Sequence, residues 1–411
     1  MTDIASTFPA LRHRDFRLLW LGQLVSTSGS QMQSAAILWH VSLLADPSRK
    51  GLALGMVGLV KVVPIVGFSL ISGVVADAVD RRKVMIATQT AMAIIAGLLA
   101  LLTFRGLSVV WPVYLLAALS SAAFAFDGPA RQSLIPNLVP RADLANAISL
   151  NTIMFQTAAI VGPSAAGMAI AMAGIGWVYL MNAVSFLFVI GALLAMRSRG
   201  RAEGTAVGRI SLGAAWEGLR FVFRAPVIRS TMLVDFFATF FASAQALLPI
   251  FAQDILRVGP RGYGWLYAAP SIGAIVASLI MVAVVDRIDR RGATLLWSVV
   301  CFGLATVVFG LSRNYLLSLL CLALTGAGDT VSMVIRNLVR QLETPDEMRG
   351  RMTGVNMIFF MGGPQLGELE AGLVAQAFGA TVSVVTGGLG CLVATGVIAA
   401  LEPAIRHYRK T

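Results

Sequence analysis

Charge is scarce in this chain of 411 residues. Asp, Glu, Lys and Arg make up 13% of it, against 57% hydrophobic residues, whereas a soluble domain carries about 25% charged residues. A water-soluble fold is excluded for most of its length. Cysteine and histidine number three each. Cys301, Cys321 and Cys391 have no metal-ligand spacing and cannot all pair, which excludes a zinc site and a disulfide framework. His13, His40 and His407 are far apart and the acids are scattered, so no catalytic cluster forms and no enzyme is expected. There is no G-x-x-x-x-G-K-[ST] stretch to cradle a nucleotide triphosphate. A sizeable polar domain, which a membrane sensor or scaffold would need, is also missing. No metal or other cofactor is implied.

What the chain has in abundance is long apolar runs. A membrane-crossing helix needs roughly 20 mostly apolar residues, and helices are the default because a spanning segment must satisfy its own backbone. Twelve runs qualify: 16–44, 52–77, 84–104, 110–130, 144–172, 175–196, 227–256, 263–285, 293–312, 315–335, 352–378 and 380–401. The spacing therefore predicts an all-α integral membrane protein. The net charge of +12 raises the question of nucleic acid, but placing the charges answers it. With the N-terminus inside, 25 of the 32 Lys and Arg fall in inner loops, six outside, and Lys61 within a span. This is the positive-inside pattern, so the bilayer, not nucleic acid, is the partner. Both termini are then cytoplasmic. Trp39, Trp111, Trp177 and Trp265 fall at predicted outer ends, where amphipathic rings prefer the interface.

A charged phrase occurs twice. Asp77-Ala78-Val79-Asp80-Arg81-Arg82-Lys83 aligns with Asp286-Arg287-Ile288-Asp289-Arg290-Arg291-Gly292 at an offset of 209. At an offset of 205, Arg131 aligns with Arg336, Pro140 with Pro345, Asn151 with Asn356, Gly162 with Gly367 and Gly167 with Gly372. Two pseudo-symmetric six-helix bundles follow, 1–198 and 227–411, joined by a cytoplasmic linker at 199–226. Repeats of this kind pack about an axis along the membrane normal. Leu212, Trp216, Leu219 and Phe223 recur at helical spacing near the end of the linker, which suits a helix lying on the inner leaflet.

These residues resemble the major facilitator superfamily. Gly73-x-x-x-Asp77-x-x-Asp80-Arg81-Arg82-Lys83 looks like its loop 2–3 signature, with Ala78 where Arg is common. Gly162-Pro163-Ser164-Ala165-Ala166-Gly167 is similar to the Gly-Pro-x-x-Gly-Gly motif of exporting antiporters. Thr344-Pro345-Asp346-Glu347-Met348-Arg349-Gly350-Arg351 and Gly363-Pro364-Gln365-Leu366-Gly367 look like the branch of enterobactin-type siderophore exporters and related drug effluxers. The resemblance implies proton-coupled efflux of a small amphipathic molecule by alternating access. It places the chain, as a monomer, in a bacterial inner membrane. An importer or a lipid flippase of the same fold remains the alternative.

Ionisable residues inside spans are functional candidates by default. Lys61, Asp235, Glu368 and Glu370 are the coupling or substrate candidates. Asp235 lies about eight residues into its span, roughly 12 Å along a helix, deep enough to take and release a proton as access alternates. Glu368 and Glu370 are about 200° apart around their helix, so only one can face a given cavity. Their first-half equivalents are Pro163 and Ala165, so these acids belong to the second half alone. The inner-loop residues Asp77, Asp80, Arg81, Arg82, Asp286, Arg287, Arg290 and Arg291 suit a gate whose ion pairs with neighbouring helix ends form in one state only. Asp127, Arg131, Asp329 and Arg336, near inner span ends, join that gate. Gly162, Pro163, Gly167, Gly363, Pro364 and Gly367 suit close helix packing and kinking.

Overall fold

The structure, a computed structural model, describes residues 8–197, 212–345 and 348–409, with backbone alone at some positions. Helices longer than ten residues are numbered in chain order. They are α1 (Arg14–Leu44), α2 (Lys50–Ala78), α3 (Arg81–Phe104), α4 (Trp111–Leu134), α5 (Leu144–Ala173), α6 (Ile175–Ala195), α7 (Leu212–Arg224), α8 (Pro226–Phe241), α9 (Gly259–Val284), α10 (Arg291–Leu311), α11 (Tyr315–Glu343), α12 (Arg349–Phe378) and α13 (Ala380–Leu401). Among the described residues, ten segments are long and apolar enough to cross a membrane. Helices α1 and α12 are of similar length but more polar, carrying Gln23, Gln31 and Gln33 in one and Gln365, Glu368 and Glu370 in the other.

The chain divides into two compact units: Met1–Leu44 with Val63–Ile210, and Ala45–Val62 with Ser211–Thr411. Helix α2 crosses this division, its first 13 residues counting with the second unit.

In the first unit, small residues let helices meet. A Cβ on Gly162 of α5 would lie 2.7 Å from the Ser28 carbonyl of α1, and one on Gly29 would strike Asn182 and Ser185 of α6. Pro163 and Gly167 are buried beside Gly162. An apolar cluster around Phe16, Met85, Leu134, Leu150 and Leu193 gathers the starts of α1, α3 and α5 and the ends of α4 and α6. Asp80 caps α3, its carboxylate accepting the Arg82 N–H at 2.9 Å, one of the donors a helix start leaves without a partner.

The second unit packs more closely still. Gly273 of α9 sits against the backbone of Ala323, and Gly326 of α11 against that of Pro270, so these helices cross at backbone contact. Gly51, Gly55 and Gly58 of α2 give the same close approach to Gly372, Glu368 and Gln365 of α12. Gly363 and Gly367 of α12 lie against Thr239 and Phe240 of α8, and Ser243 donates to the Pro364 carbonyl at 3.2 Å. Helix α7 buries Val222 and Leu219 against Met232 and Met352. Phe223, expected on its apolar face, is 47% exposed. Residues 198–211 of the linker and the side chain of Trp216 lie outside the described residues.

The two units repeat one feature that sequence alignment alone passes over. Gly174 and Gly379, 205 residues apart, join α5 to α6 and α12 to α13. Their backbones match, at φ 95°, ψ 169° and φ 89°, ψ 157°. That region of backbone space is essentially reserved for glycine.

Two expectations change. Helices α4 and α11 run past 130 and 335, so Arg131, Arg336 and Arg340 are buried helix residues, not loop cations. The charge bias expected from the sequence then rests on the remaining loop cations. Trp39 is buried at 5% exposure, inside the first unit, while Trp111, Trp177 and Trp265 are exposed as an interfacial belt requires. All three cysteines are free thiols: Cys321 and Cys391 are buried and Cys301 is exposed on α10.

Candidate functional site

The strongest assembly of charge lies inside the second unit. Asp235 of α8, 3% exposed, forms an ion pair with Arg336 of α11 at 2.8 Å and lies 3.6 Å from Arg340, one turn further along. Arg336 also reaches Asp329 at 3.4 Å. Arg340 donates to Thr231 at 3.2 Å and to Asn356 of α12. Two acids and two guanidinium groups thus balance in a setting where a lone charge would be costly. Sequence reading names Asp235, Asp329 and Arg336 but misses Arg340 and Thr231. The four-residue step from Arg336 to Arg340, which places both on one helix face, is the signal that could have found Arg340.

The first unit holds the counterpart. Arg131 of α4, the repeat partner of Arg336, donates to Gln23 of α1 at 3.1 Å, lies 3.9 Å from Asp127, and covers the Phe155 ring at 4.8 Å. Asp127 accepts from Thr88 at 3.0 Å and Gln89 at 2.9 Å. Gln23 is to Arg131 what Asp235 is to Arg336: the helix-to-helix contact of the repeated arginine ends on a neutral amide in one unit and on a carboxylate in the other.

A second charged pair in the second unit joins α2 to α12. Lys61 and Glu368 are half-buried and within electrostatic reach of each other, with Tyr267 of α9 also within reach of Glu368. Glu368 packs where Gly58 leaves room: a Cβ there would lie 2.9 Å from its Oε2. Among the described residues no hydrogen bond or ion pair within 4.0 Å ties up Lys61 or Glu368. Glu370 is half-buried, on another face of α12.

The loop signature splits between the units. In the first, Arg81 donates to the Ser133 carbonyl at the end of α4 at 3.0 Å, and Arg82 to the Leu194 carbonyl at the end of α6 at 3.2 Å. The side chain of Asp77 lies outside the described residues. In the second, Asp286, Arg287 and Arg290 are exposed and Arg291 is buried. There the C-terminal segment closes over the loop: Gly292 N–H donates to the Tyr408 carbonyl at 3.0 Å, and the Tyr408 hydroxyl donates to Glu343 at 2.8 Å. Burial, with Glu343 beside it, pushes the Tyr408 phenol up to about 12, so it remains a donor at working pH. At the other end of the unit, Lys50 donates to Gln253 at 2.7 Å and Asp254 at 3.0 Å, and Gln376 accepts from Leu52 N–H while donating to the Ser48 carbonyl.

Repeated bundles of long apolar helices, with charge paired deep inside them, define a membrane transporter of the major facilitator type. A known fold agrees: a bacterial homologue of the iron transporter ferroportin, solved in an inward-facing state, superposes with a TM-score of 0.72 at 17% identity, over 95% of this chain and 98% of that one. The chain belongs to the transmembrane secretion effector family of this superfamily, whose model matches residues 5–409. Among its relatives, the multidrug efflux pump Tap of Mycolicibacterium fortuitum is 28% identical over 401 residues, 95% of this chain and 96% of its own length. The enterobactin exporter EntS of Escherichia coli K12 is 23% identical over 400 residues, 97% of this chain and 94% of its own.

Proposed function

We propose that this protein is a secondary active exporter that drives a small amphipathic molecule, a drug or a siderophore, out of a bacterial cell by alternating access and proton antiport. It works as a monomer in the inner membrane, with twelve spans in two six-helix bundles (1–198 and 227–411), a cytoplasmic linker at 199–226, and both termini inside. No nucleic acid takes part. Export is supported by relatives that match along nearly their whole length and are named for efflux and siderophore export.

The observation that carries proton coupling is the placement of membrane-level carboxylates beside cations in the second unit, where the first unit has the neutral Gln23, Pro163 and Ala165. Protonating Asp235 would release Arg336 and Arg340 and loosen α8 from α11. Protonating Glu368 would remove the counter-charge of Lys61 between α2 and α12. Either event changes helix contacts, as coupling of a proton to a change of access demands. Arg81 and Arg82, holding the ends of α4 and α6, act as the gate together with Asp77 and Asp80. Asp286, Arg287, Arg290 and Arg291 are the second-half gate. Asp127 and Arg131 with Asp329 and Arg336 anchor the two gates to their helices. Gly162, Pro163, Gly167, Gly363, Pro364 and Gly367 are the close contacts on which helices shift.

Transport into inside-out vesicles tests the reading. Amphipathic dyes and catecholate siderophores should accumulate in vesicles carrying the protein when a proton gradient is imposed. A protonophore should abolish the accumulation. A panel in which no compound accumulates above vesicles lacking the protein ends the exporter proposal.

A further inference from the structure

The span that begins with α8 is not one helix. Its backbone ladder stops after Ala242, whose N–H reaches the Ala238 carbonyl at 3.0 Å; the Ala244 N–H turns back to Ala242 at 2.9 Å. A short 3-10 turn (Gln245–Leu247), one turn of α-helix and a π-helical turn (Phe251–Ile255) complete the span. Broken membrane helices are tolerated where the interrupted backbone lines a cavity, and in transporters such breaks form ion and substrate sites.

A cavity of about 170 Å³ opens at this break, wholly inside the second unit. The chemistry of its lining leans to one side: apart from the Gln245 amide, which can also donate, its polar side chains present acceptors. Asp329 brings a carboxylate, 43% exposed, with one oxygen held by Arg336 at 3.4 Å. Four hydroxyls line the cavity, and each has already given its hydrogen to a carbonyl: Thr239 to Asp235 at 2.8 Å, Ser243 to Pro364 at 3.2 Å, Thr306 to Phe302 at 2.9 Å and Thr325 to Leu322 at 2.6 Å. A hydroxyl that has donated offers only lone pairs. The carbonyl end of α8 points its partial negative charge at the same place, and Phe302 adds an aromatic ring, a surface that suits cations.

We propose that this cavity binds a cation of ammonium size, with Asp329 as counter-ion and the hydroxyls of Thr239, Ser243, Thr306 and Thr325 as neutral acceptors. Two sources share this chemistry: the protonated amine of an amphipathic substrate and a small inorganic cation. Binding displaces Arg336 from Asp329, so occupancy is felt by the Asp235 cluster. The assignment concerns binding and stands whether or not the protein exports by proton antiport.

Thermal unfolding of the purified full-length protein in detergent tests it. The probes are sodium chloride, ammonium chloride and n-butylammonium chloride, at ionic strength held constant with N-methylglucamine, with n-butanol as the neutral control. At least one cation should raise the melting temperature saturably, and n-butanol should not. Butylammonium acting at lower concentration than sodium assigns the site to a substrate amine; the reverse assigns it to an inorganic ion. Asp329→Asn and Thr325→Val should each weaken the half-saturating concentration about tenfold, the size of one lost charge-assisted hydrogen bond. Thr325→Ser, which keeps the acceptor, should bind like the parent. Absence of a saturable shift for every cation overturns the proposal. So does an unchanged half-saturation in Asp329→Asn, or equal binding by Thr325→Val and Thr325→Ser. If Asp329→Asn fails to fold, the Thr325 pair decides.

Discussion

Lys61 and Glu368 face each other without direct ties, whereas Asp235 is gripped from two sides, and this difference sets what each substitution should do. Glu368→Gln removes a charge that no short bond depends on. Gradient-driven transport should fall by about a hundredfold, the lower end of what a positioned proton-transfer group contributes. The melting temperature of the purified protein should barely move, because glutamine keeps the size of the side chain that fills the space beside Gly58. Asp235→Asn is a different experiment. It leaves Arg336 and Arg340 buried with only Asp329 to balance them, and breaking such a cluster costs about 3–5 kcal/mol. Urea or thermal unfolding in detergent should show that loss. Restoring neutrality with Asp235→Asn plus Arg340→Gln should recover most of it; a double variant no more stable than the single would mean that the cluster is not an electrostatic unit.

At the scale of the element, the repeated glycine linkers make the clearest prediction. Nothing lies within 4 Å of a Cβ built on Gly174 or Gly379. An alanine there meets only its own backbone, in a region that costs of order 1–3 kcal/mol. Gly174→Ala and Gly379→Ala should each lower stability by about that much, while Gly191→Ala, helical and equally uncrowded, should be neutral or slightly stabilising. The same scale shows what sequence can and cannot reveal. Apolar runs and the 205-residue offset made the helices legible, since length and hydropathy are properties of a segment alone. The extension of α4 and α11 was hidden because Arg131, Arg336 and Arg340 read as loop cations until a partner helix supplies their acceptors. The break after α8 was hidden too: Ala242-Ser243-Ala244 carries neither Gly nor Pro, and the Pro364 carbonyl that accepts from the Ser243 hydroxyl lies 121 residues further along the chain.

For the whole molecule, the two units share a scaffold but not a charge plan. The bond from α4 to α1 ends on Gln23, and the bond from α11 to α8 ends on Asp235. A swap of these two residues, Gln23→Asp with Asp235→Gln, keeps composition and net charge. It should abolish gradient-driven uptake into vesicles, because Arg336 and Arg340 lose their carboxylate; retained uptake would show that either unit can carry the coupling acid. Asymmetry of this kind was partly legible in Glu368 and Glu370, which have no acidic partner in the first half. The chain also carries an unplanned handle. Cys301 looks outward from the middle of α10, where a bilayer would bathe it in acyl chains, while Cys321 and Cys391 are enclosed. A lipophilic maleimide should therefore attach a single adduct, visible by intact mass, where a charged thiol reagent attaches none. The native sequence thus comes with one address for a fluorophore or spin probe, with no cysteine to add and none to remove.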